Sequence, residues 1–264
     1  MMNDELDSRP HITRRHFGAL AGGALLSLAL DDGCQRARPA EGEDGRLTAR
    51  PRGDVTPPAA GEHALGLDKT RDAILLMPAK PAGQPLPLFV LFHGAGGSAE
   101  SVLRRLGPAV GEAGVAVLAP ASRASTWDAI RDRFGRDVAF VNRALQRVFD
   151  IVAVDPARLA VGGFSDGATY ALSLGLINGD LFRGVVAFSP GFVVEGTPHG
   201  SPRFFISHGT ADPILPIDQC SRAIVPRLRQ RGYDVTFREF DGAHEVPADI
   251  ARDGMRWVAA TSPV

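Results

Sequence analysis

The sequence has little cysteine, which excludes a fold held together by disulfide bonds. Only Cys34 and Cys220 occur among its 264 residues, and two cysteines cannot form the framework of bridges that stabilises small secreted domains. Hydrophobic residues make up 44% of the chain and charged residues 22%, which is ordinary for a soluble globular protein. The fold must therefore depend on its hydrophobic core, and the length is enough for one sizeable domain with a short appendage.

The sequence also lacks an excess of charge of either sign. Its 29 Lys and Arg residues nearly balance its 30 Asp and Glu residues, so the formal net charge is −1. This balance gives no electrostatic reason to expect nucleic acid or an anionic membrane surface as a partner. The sequence contains neither the P-loop spacing nor an H-E-x-x-H zinc motif. We therefore expect no nucleotide cofactor and no catalytic metal.

The apolar run at the N-terminus is too short to cross a bilayer. It extends from Gly18 to Leu30, whereas a membrane-spanning helix needs about 20 residues. Arg14 and Arg15 precede the run, and a basic segment before a short apolar run is typical of a secretory signal. The paired arginines resemble the twin-arginine class of signals, which exports folded proteins. We expect residues 1–33 to be a signal peptide and the protein to be exported, as a periplasmic, membrane-anchored or secreted form.

Two processing sites compete after this signal. Gly33-Cys34 resembles the end of a bacterial lipoprotein box, which would make Cys34 a lipid anchor, whereas Ser27-Leu28-Ala29 fits ordinary cleavage. Residues 34–62 are rich in Arg, Pro, Gly, Ala and Glu without apolar periodicity, and this composition predicts a flexible linker. Residues 63–264 form the predicted folded domain.

Within this domain, short apolar runs alternate with amphipathic segments. Leu86–Phe92 is continuously apolar, which is typical of a strand buried on both faces of a sheet. Val138–Val152 has the helical period. Alternation of this kind predicts an α/β fold with a mostly parallel sheet and helices on both faces. Ligands of such sheets bind beyond the carboxyl ends of the strands, so the catalytic residues are expected there.

The strongest local signal is a G-x-S-x-G motif at residues 163–167. It follows the predicted strand Arg158–Gly162 and precedes the predicted helix Ala168–Leu176. A serine in this context sits on a sharp turn that projects its hydroxyl from the edge of the sheet. We therefore predict Ser165 as a nucleophile.

A serine hydroxyl needs a base to accept its proton, and the base needs an acid to orient it. In folds with this elbow, the acid and then a histidine follow the serine, each on a loop after a later strand. Asp212 and His244 satisfy both the order and the placement. Asp241 is an alternative acid because it lies close to His244. For His93 and His208, which lie in His-Gly turns at strand ends, we expect a loop-bracing role.

Acyl transfer also needs hydrogen-bond donors aimed at the oxyanion. The glycine-rich loop His93–Gly97 follows an early strand. We predict the backbone N–H groups of Ala95 and Asp166 as the two donors. The alternative for this loop is a glycine-rich turn that binds no ligand.

Taken together, these segments resemble the phospholipase/carboxylesterase branch of the α/β-hydrolases. The resemblance is carried by H-G-A-G-G at residues 93–97, the Ser165 elbow, His208-Gly209-x-x-Asp212-x-x-x-Pro216 and Gly242-x-His244. It implies a compact domain without a large cap that hydrolyses carboxylic esters or thioesters without a cofactor. Secreted relatives in this branch include feruloyl esterases and polyhydroxyalkanoate depolymerases, so a small or a polymeric ester is the expected substrate.

Two aromatic residues are candidate substrate contacts. Trp127 follows the third strand, and Phe192 follows Ser189-Pro190-Gly191; each has a buried anchor as its alternative role. Two other functions remain open: a peptidase of the prolyl-oligopeptidase kind, and a binding lipoprotein that keeps the hydrolase fold without catalysis. The sequence does not indicate an oligomeric state.

Overall fold

The alternating segments form one sheet flanked by helices in the computed structural model, which describes residues 42–53, 55–81, 85–106 and 108–260. These residues belong to one compact unit, Arg38–Val264. The predicted signal peptide and Cys34 lie outside the described residues. The strands are β1 Gly61–Ala64, β2 Ala73–Met77, β3 Leu86–Phe92, β4 Ala116–Pro120, β5 Val154–Phe164, β6 Gly184–Phe188, β7 Arg203–Gly209 and β8 Val235–Phe240. The helices are α1 Ala99–Leu106, α2 Pro108–Glu112, α3 Asp128–Arg131, α4 Arg136–Phe149, α5 Asp166–Ile177, α6 Ser221–Gln230 and α7 Ala248–Ala259.

The eight described strands have the order β1-β2-β4-β3-β5-β6-β7-β8. β2 is antiparallel to both of its neighbours, and every other neighbouring pair is parallel. Helices lie in the connections from β3 to β4, β4 to β5, β5 to β6 and β7 to β8, whereas residues 189–202 connect β6 to β7 without a helix. The predicted fold class, a mostly parallel sheet covered by helices, is confirmed.

β3 shows why the sheet is buried on both faces. Successive side chains of a strand point to opposite faces, and Leu88 and Val90 join a core shared with α4 and α5, whereas Phe89 and Leu91 join one shared with α1 and α7. All seven residues of the strand are buried, which explains the absence of polar alternation in its sequence. Within the described part of the chain, no helix is both long and apolar enough to span a bilayer.

The segment predicted as a flexible linker, 34–62, is partly folded. The side chains of Leu47 and Ala49 are buried in the core, with 1% and 2% exposure. The Leu47 N–H donates to Asn178 Oδ1 at 2.8 Å, and the Ala49 N–H donates to Asn142 Oδ1 at 2.9 Å. The prediction of a tether is therefore wrong for this part of the segment, because distant side chains satisfy its backbone and bury its few apolar residues. β1 at its end also pairs with β2.

Candidate active site

Ser165 lies in a turn of a single residue between β5, which ends at Phe164, and α5, which begins at Asp166. Its backbone has φ 59° and ψ −124°, a conformation that side-chain-bearing residues rarely adopt. The Ser165 N–H donates to the Phe188 carbonyl on the neighbouring strand at 3.0 Å. This bond anchors the strained residue to the sheet while its side chain projects beyond the sheet edge.

The two glycines of the motif allow backbone segments to touch. A Cβ atom at Gly163 would lie 2.4 Å from the carbonyl carbon of Gly167, and one at Gly167 would lie 2.2 Å from the Phe92 oxygen. Both distances are far below van der Waals contact. Any larger residue at either position would push the elbow away from β3 or open the turn.

The structure brings Ser165, His244 and Asp212 together at the carboxyl edge of the sheet. His244 Nε2 lies 2.9 Å from Ser165 Oγ, and His244 Nδ1 lies 2.6 Å from Asp212 Oδ2. A carboxylate oxygen can only accept, so Nδ1 carries the proton and Nε2 is free to accept the serine proton. The His244 ring packs on Phe164, with ring centroids 4.7 Å apart.

Asp212 is held on both of its oxygens. Oδ1 accepts the N–H groups of Ile214 and Leu215, each at 2.9 Å, and Oδ2 accepts from His244. Burial raises the pKa of the Asp212 carboxyl, but the hydrogen bonds from Leu215, His244 and Ile214 outweigh it, so the net pKa is lowered. The carboxylate is therefore ionised at neutral pH. Since His244 Nδ1 bonds Asp212, the alternative acid Asp241 does not occupy that place.

The two predicted oxyanion donors belong to segments that adjoin Ser165, the loop after β3 and the start of α5. The loop after β3 contacts the serine, because a Cβ atom at Gly94 would lie 3.2 Å from Ser165 Cβ. Among the described residues, the Ala95 N–H of this loop has no backbone acceptor. Asp166 is the first residue of α5, where the N–H groups have no acceptor within the helix. The Asp166 carboxylate accepts from Thr126 Oγ1 at 2.5 Å.

Trp127 is not a pocket residue. Its side chain is wholly buried, and its indole N–H donates to the His93 carbonyl at 2.8 Å. The ring stacks on Tyr170, with centroids 4.8 Å apart, and packs on Phe92. The prediction of a substrate contact is wrong: the indole anchors the segment after β4 to the core beneath the His93 loop.

Phe192, by contrast, is 48% exposed. It lies in the segment after β6 and lines a surface cleft formed by that segment, the end of α5 and α6, and Ser165, Asp212 and His244 are not among the residues that line this cleft. The segment is tied to the elbow, because the Gly191 N–H donates to Thr169 Oγ1 at 2.9 Å and the Thr169 N–H donates to the Ser165 carbonyl at 3.0 Å. Gly191, the residue before Phe192, is therefore bound to α5 one helical turn after Ser165.

His93 and His208, the two other histidines of the motifs, have different contact partners. His93 braces a loop as predicted: it is buried, and its Nε2 accepts the Ser122 N–H at 3.0 Å. His208 instead touches the candidate acid, with Nε2 3.2 Å from Asp212 Oδ2. Sequence reasoning missed this contact; the four-residue spacing His208-x-x-x-Asp212 was the only signal available. No group of three metal-ligating side chains occurs among the residues that the structure describes.

Comparisons with known proteins point to one class. The sequence model of the Phospholipase/Carboxylesterase family matches residues 128–259, half of the chain. This stretch includes Ser165, Asp212 and His244. The donor loop with Ala95 precedes it.

Individual proteins give similar results. A putative esterase, NocK, from Nocardia uniformis subsp. tsuyamanensis is 34% identical over 157 residues, which are 55% of this chain and 45% of the relative. Feruloyl esterase C from Emericella nidulans is 33% identical over 85 residues, 32% of each protein. The chain therefore spans less than half the length of these relatives. The substrate-bound structure of FphF, a fluorophosphonate-binding serine hydrolase of Staphylococcus aureus, aligns with 76% of this chain and 99% of its own, with TM-score 0.61 and 16% identity, a likeness of fold.

Proposed function

The chain belongs to the phospholipase/carboxylesterase family of α/β-hydrolases, and we propose that it is a serine esterase that cleaves carboxylic esters or thioesters through an acyl-enzyme on Ser165. One observation carries the proposal: His244 bridges Ser165 Oγ and Asp212 Oδ2 at 2.9 and 2.6 Å. This is the geometry that general-base activation of a serine requires.

In the acylation half-reaction, His244 Nε2 takes the Ser165 proton while Oγ attacks the ester carbonyl carbon. The electron pair of the carbonyl moves to its oxygen, and the N–H groups of Ala95 and Asp166 bind that oxyanion. Each such donor contributes a factor of about 10²–10³ in rate. When the tetrahedral intermediate collapses, the protonated His244 gives its proton to the departing alcohol or thiol.

Water completes the reaction. His244 takes a proton from the water as its oxygen attacks the acyl-enzyme carbonyl, and it returns that proton to Ser165 Oγ as the acid leaves. Asp212 stays ionised throughout and stabilises the imidazolium ion that forms in each half-reaction. No cofactor takes part in this scheme.

Phe192 is our proposed substrate contact. An exposed aromatic ring next to Gly191, which hydrogen-bonds to Thr169 four residues after Ser165, offers apolar area at low conformational cost. A small ester or one end of a polymeric ester is the substrate class that we propose.

We also propose that the protein is exported through its twin-arginine-like signal at residues 1–33, and that Cys34 is the residue to which a lipid is attached if the signal is processed as a lipoprotein box. The proposal rests on Arg14 and Arg15 followed by the apolar run that ends at Leu30.

The Ser165→Ala variant tests the proposed chemistry. Wild type should hydrolyse p-nitrophenyl acetate and react covalently with a fluorophosphonate probe. Ser165→Ala should lose about 10⁴-fold or more in kcat and all of the labelling, because the nucleophile is gone. Ser201→Ala, a change at an exposed serine, is the matched control and should behave as wild type.

Two results would contradict the proposal. Equal turnover by Ser165→Ala and wild type would show that another group is the nucleophile. A folded wild type that neither labels nor hydrolyses esters and thioesters of graded acyl length would favour a binding protein on a hydrolase fold.

A further inference from the structure

His208, the next-to-last residue of β7, is buried with no exposed surface beside Asp212. Its Nε2 atom lies 2.8 Å from the Leu215 carbonyl oxygen and 3.2 Å from Asp212 Oδ2. Its Nδ1 atom lies 2.7 Å from Ser221 Oγ, at the start of α6. Every polar atom of the imidazole therefore has a partner.

These partners determine the tautomer. A carbonyl oxygen and a carboxylate oxygen can only accept, so Nε2 must carry the proton. The Ser221 hydroxyl can donate to Nδ1, which leaves the ring neutral. Burial lowers the pKa of His208, which favours the same neutral form. The charged or titratable groups that act on this ring are Asp212, His244 and Glu239.

The contacts form a closed clamp around the carboxylate. The Leu215 N–H donates to Asp212 Oδ1, and the Leu215 carbonyl accepts from His208 Nε2, which also lies 3.2 Å from Asp212 Oδ2. Oδ2 thus lies close to a nitrogen atom of each of two imidazole rings, at 3.2 Å from His208 Nε2 and 2.6 Å from His244 Nδ1. A carboxylate held in this way cannot rotate its Oδ2 away from His244 without also losing the close contact with His208 Nε2.

We infer that His208 is a positioning residue for the proposed ester hydrolysis, holding Asp212 Oδ2 toward His244 and sharing the negative charge of that oxygen. The inference rests on the proposed function. It differs from a purely structural role, in which His208 would only tie β7 to α6 through Ser221.

Two amide variants separate these roles. In His208→Gln, the side-chain amide can reach the place of Nε2 and keep a donor near Oδ2. In His208→Asn, the shorter side chain places its amide near Nδ1, so it can meet Ser221 but not Asp212. Ser221→Ala is the matched control, because it removes the contact of Nδ1 and leaves the donor to Asp212 in place.

The measurement is the pH dependence of kcat/KM for p-nitrophenyl acetate, together with thermal unfolding of each variant. His208→Asn should lower kcat about 10-fold through misplacement of the base. It should also move the acidic limb upward by about 0.5 pH unit, because more negative charge remains on Oδ2 to stabilise the His244 imidazolium. In His208→Gln and Ser221→Ala the limb should stay at the wild-type position, whatever happens to stability.

The inference is overturned if the acidic limb of the pH profile of kcat/KM lies at the wild-type position in His208→Asn. It is also overturned if this limb moves by the same amount in His208→Asn and His208→Gln. If His208→Asn does not fold, the test rests on His208→Gln. An acidic limb at the wild-type pH in this variant supports the positioning role, and a shifted acidic limb overturns it. Failure of the proposed function itself is distinguishable, since wild type would then show no ester turnover in any of these assays.

Discussion

At the scale of the residue, backbone strain is concentrated beside the candidate active site. Ser165 and Ser189 are the two non-glycine residues of the described chain with positive φ, at 59° and 51°. Each directly follows a strand, and each N–H continues the sheet ladder, Ser165 to the Phe188 carbonyl and Ser189 to the Ser207 carbonyl. Strain of this kind costs about 1–3 kcal/mol per residue and persists only where the surroundings enforce it. Here the sheet supplies that enforcement.

The close approach at Gly163 gives a prediction at the same scale. Gly163→Ala should lower the free energy of unfolding by about 3 kcal/mol, because the new methyl group would overlap the backbone of Gly167. Gly111→Ala in α2 is the control: no heavy atom lies within 4 Å of its Cβ position, and it should raise stability by up to about 1 kcal/mol. Urea unfolding of both variants measures the difference. Equal stability of the two would mean that the elbow is not tightly packed.

At the scale of the element, the segment before β1 is a structural part of the domain. Arg46 pairs with Asp180 at 2.8 Å and donates to the Ile177 carbonyl at the end of α5. The hydrogen bond from Arg46 lowers the pKa of Asp180 to about 2. A depressed carboxyl pKa stabilises the fold above the unfolded value near 4, and the contribution is lost as the pH falls through about 2. The stabilisation that the Arg46–Asp180 ion pair contributes should therefore be lost only in strong acid.

The Leu47→Ala variant tests whether this segment contributes to stability. Deleting a buried leucine side chain should lower the free energy of unfolding by about 2–3 kcal/mol, through lost transfer energy and the cavity left behind. Ile214→Ala is the control, since Ile214 is 65% exposed and its loss should change stability by less than about 0.5 kcal/mol. Chemical denaturation followed by tryptophan fluorescence compares them. If Leu47→Ala matches the control, the segment is a tether after all.

At the scale of the whole molecule, strand order brings distant residues together. Ser165 follows β5, Asp212 follows β7 and His244 follows β8, and these strands run parallel in the order β5-β6-β7-β8. Parallel strands place their carboxyl ends at one edge of the sheet, where ligands bind. Residues up to 79 positions apart in sequence therefore meet within hydrogen-bonding distance.

The proposed export concerns the whole chain and has its own test. In a bacterial host with a twin-arginine pathway, replacing Arg14 and Arg15 together by Lys should keep the protein in the cytoplasm, because the pathway recognises the arginine pair rather than its charge. The measurement is ester hydrolysis and immunodetection in separated cell fractions. The control is the corresponding replacement of Arg36 and Arg38, which should leave export unchanged. Identical distribution of the two variants and wild type would remove the basis for the proposal.

The sequence by itself determined the features that depend on short stretches of chain. The elbow needs glycines at fixed offsets from a serine, and strand and helix periods are visible within a few residues. For this reason the strand Leu86–Phe92 has the predicted bounds. The placement of Asp212 and His244 after later strands followed from chain order alone.

Only the tertiary structure decided the contacts between remote segments. Leu47 is buried in the core, and its N–H donates to Asn178. Trp127 is an anchor because its ring packs against Tyr170 and Phe92. His208 contacts Asp212 because the loop after β7 folds back on the strand. The amino-acid composition around each of these residues does not indicate which distant residues it contacts. Burial and hydrogen-bond satisfaction are properties of the assembled sheet and its helices, so they become visible only when the chain is folded.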